Sequence, residues 1–387
     1  MTAPTTPPFR DGRDGGVYVH VPFCTSICRY CHFARTDRHG PAARRAYVDG
    51  VLAELDLRLA ACPSLATGRR GVRTLYVGGG TPSVLEPPEF ARLLGGLRAR
   101  LDFSRVREAT VEANPESFGE EAAAAWRDAG VDRVSLGVQS LDPDVLAWLG
   151  RAADPARNRA ALRLAAARFP RVSADWILAP GCRPETLADE FREARDLGVE
   201  HVSFYILEWH PHTGLARDRA RGLVRPDSDA SIERLYLAGR ETLEALGYRA
   251  YEVSNFARPG AESLHNSAYW ERRPYLGLGP GAHAQWGRTR AANHGAVERW
   301  TADVDAGRLP EAERELLDAD RARLERVILA LRTAGGCDLA PVRADAAALR
   351  AGEAEGLWTV ADGRLRLTPR GLLRIDDVEA WLAARLG

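Results

Sequence analysis

The chain contains no lysine: all 53 of its basic side chains are arginine, and Met1 is its single methionine. A pyridoxal Schiff base is therefore excluded, and so is a phosphate loop built around a lysine. No apolar run approaches the ~18 residues of a membrane span. Residues 1–16 are rich in Pro, Thr and Asp without an apolar core, so they read as a flexible tail and not as a secretory signal. Charge of either sign is also missing in excess: 53 basic residues balance 53 acidic ones. A basic nucleic-acid footprint is absent, and no nucleic-acid partner is expected. Cysteine is sparse, six in 387 residues. That excludes a disulfide framework and points to a reducing, cytoplasmic compartment.

Three of those cysteines crowd into eight residues: Cys24, Cys28 and Cys31, spaced C-x3-C-x2-C. Three thiolates can hold three irons of a [4Fe-4S] cluster and leave the fourth open. A structural zinc site wants four ligands, usually from C-x2-C pairs; a zinc loop completed by His20 or His32 is the alternative. A vacant iron suits a small chelating molecule, the signature of a radical S-adenosylmethionine (SAM) protein. Cys62, Cys182 and Cys337 lie outside any ligand spacing.

Apolar strands are expected at 17–21, 73–78, 108–112, 133–139, 171–177 and 201–207. Helical segments at 42–59, 87–100, 120–129, 155–168 and 183–197 alternate with them. Repeated βα units imply a parallel sheet with helices outside; six units fit a partial barrel as well as an open sheet. Alternation along the strands leaves Glu112, Gln139, Asp175 and Tyr205 near their carboxyl ends. Barrel enzymes keep their chemistry there. Beyond the sixth strand, 217–246 reads as helix, 248–257 as a strand and turn, 277–282 as a loop and 311–333 as one charged helix. A helix near 340–352, a hairpin arm at 363–368 and a closing helix resemble a winged helix, read as structural or partner-docking.

Gly78-Gly79-Gly80-Thr81-Pro82 follows the second strand with no lysine after it. Close backbone approach to an amino or carboxylate group fits better than phosphate cradling. Glu112, Gln139, Arg151 and Asp175 suit a zwitterionic, ribose-bearing ligand: carboxylates for its ammonium and hydroxyls, Arg151 for its carboxylate. A last cluster runs through 251–256, His265-Asn266-Ser267-Ala268-Tyr269-Trp270 and 277–283. Neutral histidine ligates iron, and aromatic rings stack on flat macrocycles.

With these motifs the chain resembles the oxygen-independent coproporphyrinogen oxidase-like family of radical SAM proteins, over nearly its whole length. The resemblance is carried by 20–31, 78–82, 112–115, 137–140, Asp175, 251–255, 265–270 and 277–283. Phe33 stands where the porphyrinogen dehydrogenase branch has a further cysteine, and the segment before the first strand is short. Together with His265–Trp270 this points to the heme-chaperone branch.

The resemblance implies an α/β fold: a partial (β/α)6 TIM-type barrel with a C-terminal helical, winged-helix-like module. The implied division is a tail at 1–16, a barrel at 17–215, a barrel extension at 216–305 and the module at 306–387. It implies a [4Fe-4S] cluster on Cys24, Cys28 and Cys31. SAM would be held by Tyr18, Gly79, Gly80, Thr81, Glu112, Gln139, Arg151 and Asp175, and heme would be touched by His265. Heme would pass to acceptor proteins, membrane-associated respiratory proteins among them, with flavodoxin or ferredoxin as electron donor. Coproporphyrinogen III dehydrogenase activity is expected to be absent. The alternatives are that dehydrogenase, or a radical SAM methyltransferase or cyclopropanase. Three departures stand out: His32 in place of a usual Asp, Ala152-Ala153 where a histidine often follows the arginine, and the unusual stretches 176–180 and 208–210.

Overall fold

The computed structural model describes residues 14–61 and 71–386. Most of the expected tail, and Cys62, lie outside the described residues. The first half alternates strand and helix, with two helices after β4: β1 (Gly15–Val21), α1 (Pro41–Ala61), β2 (Val72–Gly79), α2 (Pro87–Arg98), β3 (Glu108–Ala113), α3 (Glu120–Asp128), β4 (Arg133–Gln139), α4 (Pro143–Leu149), α5 (Pro155–Arg168), β5 (Arg171–Leu178), α6 (Pro184–Asp196) and β6 (His201–Ile206). Then come α7 (Gly214–Ala220), α8 (Asp229–Ala245), β7 (Arg249–Ala250), β8 (Asn255–Ala257), α9 (Leu264–Trp270), β9 (Tyr275–Leu278), β10 (His283–Trp286), β11 (Thr289–Asn293), α10 (Val297–Asp305) and β12 (Glu311–Leu316). The chain closes with α11 (Ala319–Leu331), β13 (Cys337–Asp338), α12 (Ala346–Ala354), β14 (Trp358–Ala361), β15 (Arg364–Leu367), α13 (Pro369–Leu372) and α14 (Ile375–Ala383).

β1 to β6 pair in sequence order, all parallel, as the βα repeat predicts. β9 adds a seventh parallel strand against the outer edge of β1. Antiparallel β10, β11 and β12 continue from it, and β8 and β7 close the other side beyond β6. The outward faces of the parallel strands carry apolar residues such as Val17, Val19, Val77, Val111, Leu136 and Trp176. With the helices they make the main core. The inward faces are polar: Thr74, Glu108, Thr110, Arg133, Ser135, Ser173, His201 and Ser203 are all buried.

Two expectations needed revision. Residues 311–316 form the edge strand β12, not the start of a helix: Glu311-Ala-Glu-Arg-Glu-Leu pairs with β11, and α11 starts only where Asp318 accepts the Arg321 amide. The charges that read as a helix surface protect an exposed edge instead. The expected loop at 277–282 contains the end of β9, because Gly277 and Leu278 pair with Tyr18 and Val19. The C-terminal elements gather a second core around Leu331, Trp358, Leu365 and Leu382. Its hairpin turns through Asp362 and Gly363, both at positive φ, the backbone that a two-residue I′ turn requires.

A buried carboxylate ties the extension to the barrel. Glu54 on α1 is fully buried and paired with Arg58 at 2.8 Å. It accepts hydrogen bonds from Gly279 N, Asn293 Nδ2 and Trp300 Nε1, each at 2.8 Å. The Gly279–His283 turn is thereby fixed over the end of β1.

Candidate cofactor site

Residues 24–35 form an excursion closed at its neck, where Thr36 N donates to Pro22 O and Cys24 N to Thr36 O. Arg29 pins the excursion to α7: its guanidinium meets Asp218 at 2.6 Å and its carbonyl accepts the Leu215 amide. Cys24, Cys28 and Cys31 line one cavity of about 380 Å³, together with Gly79, Gly80, Thr81, Glu112, Asn114, Gln139, Arg151 and Asp175. The strand-end residues and the thiols singled out by sequence thus converge. Two do not: Tyr18 and His265 line an adjoining chamber instead.

Local sequence explains the geometry. Gly79 has φ +110°, and a Cβ there would meet the His20 ring at 2.7 Å; one on Gly80 would strike the backbone of Pro22 and Phe23. Freed of side chains, the turn lies flat on the end of β1. Its Gly79 amide donates to Glu112 Oε2 at 3.0 Å, and Tyr76 Oη donates to Glu112 Oε1 at 2.6 Å. Gln139 ends β4 at φ +68°, an uncommon conformation for a residue with a side chain, at the cavity wall.

The thiols have polar neighbours aimed at sulfur. Thr81 Oγ1 approaches Cys24 Sγ at 3.5 Å, and Asn114 Nδ2 donates to Thr81. Arg151 reaches Cys28 Sγ at 3.3 Å while donating to Asn114 Oδ1 and Gly137 O. Arg151, expected to face a ligand carboxylate, lines the cavity, and its guanidinium also contacts a thiol. Burial pushes Cys24 up to about 11 and raises Cys31. A metal bound there would displace the protons of those two thiols. Among the described residues no trio of His, Cys, Asp or Glu side chains is gathered as a single-ion site. A cluster, by contrast, spreads its ligands over separate irons. Buried Arg151 Nε and Arg35 Nε, both beside the cavity, lack hydrogen-bond partners.

Two acids face each other across the cavity. Burial pushes Glu112 up to about 7, against the Tyr76 hydrogen bond and with the Asp175 charge adding to it. Burial likewise raises Asp175 to about 6, with Ser203 and Ser135 opposing. Both would ionise fully beside a cation. Sequence reading gave Tyr76 and Asn114 no role. Alternation of Thr74, Tyr76 and Gly78 on the inner face of β2 was the signal for Tyr76, and the position of Asn114 just past Glu112 was the signal for the other.

The adjoining chamber measures about 600 Å³. Five tyrosines reach it (Tyr18, Tyr76, Tyr205, Tyr269, Tyr275), with His20, His32, His265 and His283. Phe33, Glu112, His32 and Tyr205 are common to both cavities. His265 is buried, with Nδ1 on Thr74 Oγ1 at 2.8 Å and Nε2 on Tyr269 Oη at 2.8 Å. Desolvation lowers its pKa to about 3, so it is neutral. The amides of Leu264 and His265 and the Ser263 hydroxyl donate to Glu108, at the amino end of β3. α9 therefore closes the bottom of the barrel.

Residues 18–187 match the Radical SAM superfamily model. The heme chaperone HemW of Mycobacterium tuberculosis is 39% identical over 373 residues, covering 95% of this chain and 94% of that protein. HemW of Escherichia coli is 36% identical over 272 residues, 70% of this chain and 69% of that one. The mitochondrial radical S-adenosyl methionine domain-containing protein 1 of Bos taurus is 37% identical over 324 residues, 78% of this chain and 71% of its own. Among solved structures, the coproporphyrinogen III oxidase HemN of Escherichia coli superposes with TM-score 0.80 at 23% identity, over 96% of this chain and 90% of that one. At that identity the likeness is one of fold.

Proposed function

Because the chain belongs to the HemW family of radical SAM proteins, we propose that it is a heme chaperone that carries a [4Fe-4S] cluster and SAM and delivers heme to acceptor proteins. The observation that carries this reading is the pair of adjoining cavities, one gathering three thiols with strand-end acids, the other broad and aromatic.

The residues fit the cofactors. Cys24, Cys28 and Cys31 would hold the cluster, with Thr81 and Arg151 polarising two of the sulfurs. Glu112 and Asp175, raised by burial, would receive the cationic groups and ribose of SAM. The Gly79–Gly80 backbone and Gln139 would line its remaining surface. Bound, the cluster supplies an electron to SAM. The chain's own contribution is to hold two buried carboxyls at the cavity wall and to place the second chamber against the first. Tyr18 falls on that second chamber, beside His20. For His265 to touch heme iron, a hydrogen bond to Thr74 or Tyr269 must break; its neutral ring otherwise sets the chamber floor.

Cluster and SAM act in this reading as a switch on heme release, reduced by a flavodoxin- or ferredoxin-like donor in the cytoplasm. Acceptors include membrane-associated respiratory heme proteins. Among the described residues no helix is long and apolar enough to cross a membrane. The test is an anaerobic heme titration of the cluster-loaded protein with and without SAM, run beside a coproporphyrinogen III conversion assay. Saturable heme binding without protoporphyrinogen is expected. Decarboxylated product would instead place the chain with the dehydrogenases.

A further inference from the structure

Four histidines border the aromatic chamber, and their surroundings separate them sharply. His265 has both ring nitrogens engaged, by Thr74 and Tyr269. His20 does too, by Tyr18 Oη at 3.0 Å and Ala34 O at 2.7 Å. His32 lies with its ring centroid 3.6 Å from that of His210. His32 and His283 are both exposed with no hydrogen bond to the ring, but among the described residues only His283 of the four also has no ring contact.

Strand β1 serves as a ruler for their positions. A Cβ on Gly16 would lie 3.1 Å from the His265 ring, so His265 sits at the amino end of β1. His283 lies beside Gly277, where a Cβ would run into the His283 carbonyl, and Gly277 pairs with Tyr18; it therefore sits two residues further along β1, about 7 Å at ~3.3 Å per residue. The two histidines stand at different levels of the chamber, and the ring nitrogens of His265 are both engaged at the lower one.

Resting on the heme-chaperone reading, we propose that His283, not His265, supplies the axial nitrogen to heme iron. The macrocycle then lies across the top of the chamber, against the faces of Phe33 and Tyr205, which are 54% and 40% exposed. An imidazole at an open mouth ligates iron without first giving up a hydrogen bond. Large exposed rings beside it offer the apolar, flat surface that a porphyrin buries. The position is rigid. Glu54 holds the Gly279 amide, and Gly281 at φ +72° is so close to the cluster excursion that a Cβ would meet Ala34 Cβ at 2.5 Å. Phe33 and Tyr205 also border the cofactor cavity, so a macrocycle there shares a wall with SAM.

The test uses the full-length, cluster-loaded protein, titrated anaerobically with ferric heme and read by Soret position and by electron paramagnetic resonance for an imidazole ligand. His283→Ala should lose the imidazole signature and at least tenfold in affinity, and added imidazole should restore the spectrum. Thr74→Val, which frees His265 Nδ1 without removing the ring, and His265→Gln should both keep the wild-type signature. An unchanged signature in His283→Ala, or its loss in His265→Gln at matched folded content, overturns the assignment and leaves the chaperone reading standing. Failure of the wild-type protein to bind heme with cluster and SAM in place overturns both.

Discussion

The two ends of the barrel interior are built from the same strands and are equally rich in polar side chains, yet they spend them differently. At the amino ends, Glu108 accepts from Ser263, Leu264 and His265 and lies between Arg133 and Arg171. His201 is held by Ser173 and Tyr251. Most donors there have acceptors within the protein, although Arg133 Nη2 and Thr110 Oγ1 do not among the described residues. At the carboxyl ends, Glu112 and Asp175 are pushed upward by burial, Gln139 has a left-handed backbone, Arg151 keeps an orphan Nε, and Phe33 and Tyr205 are bare. Buried polarity alone therefore does not mark a site. Unsatisfied polarity and raised carboxyls beside a cavity roomy enough for a ligand do.

Substitutions at the two ends should break in opposite ways. The largest effect belongs to Cys28→Ala: iron should fall from about four per chain to nearly none, with loss of the cluster absorbance. Intact iron content would remove the cluster reading.

Next, Glu108→Gln at the closed end should cost about 3–5 kcal/mol, as expected when one partner of a buried ion pair is removed. The readout is the urea midpoint. A shift within experimental error would mean that the floor is not a structural plug.

Glu112→Gln at the open end should do the reverse and stabilise the cofactor-free protein. A carboxyl whose folded pKa is raised from 4.5 to about 7 binds more protons folded than unfolded, so its contribution falls as pH rises across that window. The variant should thus match wild type near pH 4 and exceed it by about 1–3 kcal/mol at pH 8, discounted for water in the cavity. Chemical denaturation at several pH values reads the gap; a gap that closes with rising pH would reverse the sign.

The smallest effect is Asp175→Ala, which should weaken SAM binding about tenfold, or ~1.4 kcal/mol, with iron retained. Equal SAM affinity by equilibrium dialysis would put the ligand elsewhere.

The open end was the legible end. Cysteine spacing, the glycine run and the acids at strand ends are local patterns, and each sits where strand periodicity puts it. The closed end was not legible, because its logic lies in pairings between residues 155 to 191 positions apart, such as Glu108 with Ser263 and Thr74 with His265. That both ring nitrogens of His265 are engaged was not legible, because a histidine beside aromatics looks alike in sequence whether its ring is free or held. The reach of Arg151 to Cys28 was not legible either, since the two lie 123 positions apart. β9 to β12 were missed for a related reason. They are four to six residues each, with glycine or charge in place of alternation, and only docking on β1 and on one another makes them strands.

The seating of β9 on β1 has a temporal side. Gly16 and its partner Tyr275 are some 250 residues apart in the chain. At about 5–20 residues per second of synthesis, β1 waits roughly 13–50 s with one hydrogen-bonding edge bare. The six βα units can assemble meanwhile, since each needs only what has already emerged. The excursion bearing Cys24, Cys28 and Cys31 gains its Gly279–Gly281 buttress only when three-quarters of the protein exists. The pocket proposed to hold a cluster is thus completed only in the last quarter of synthesis.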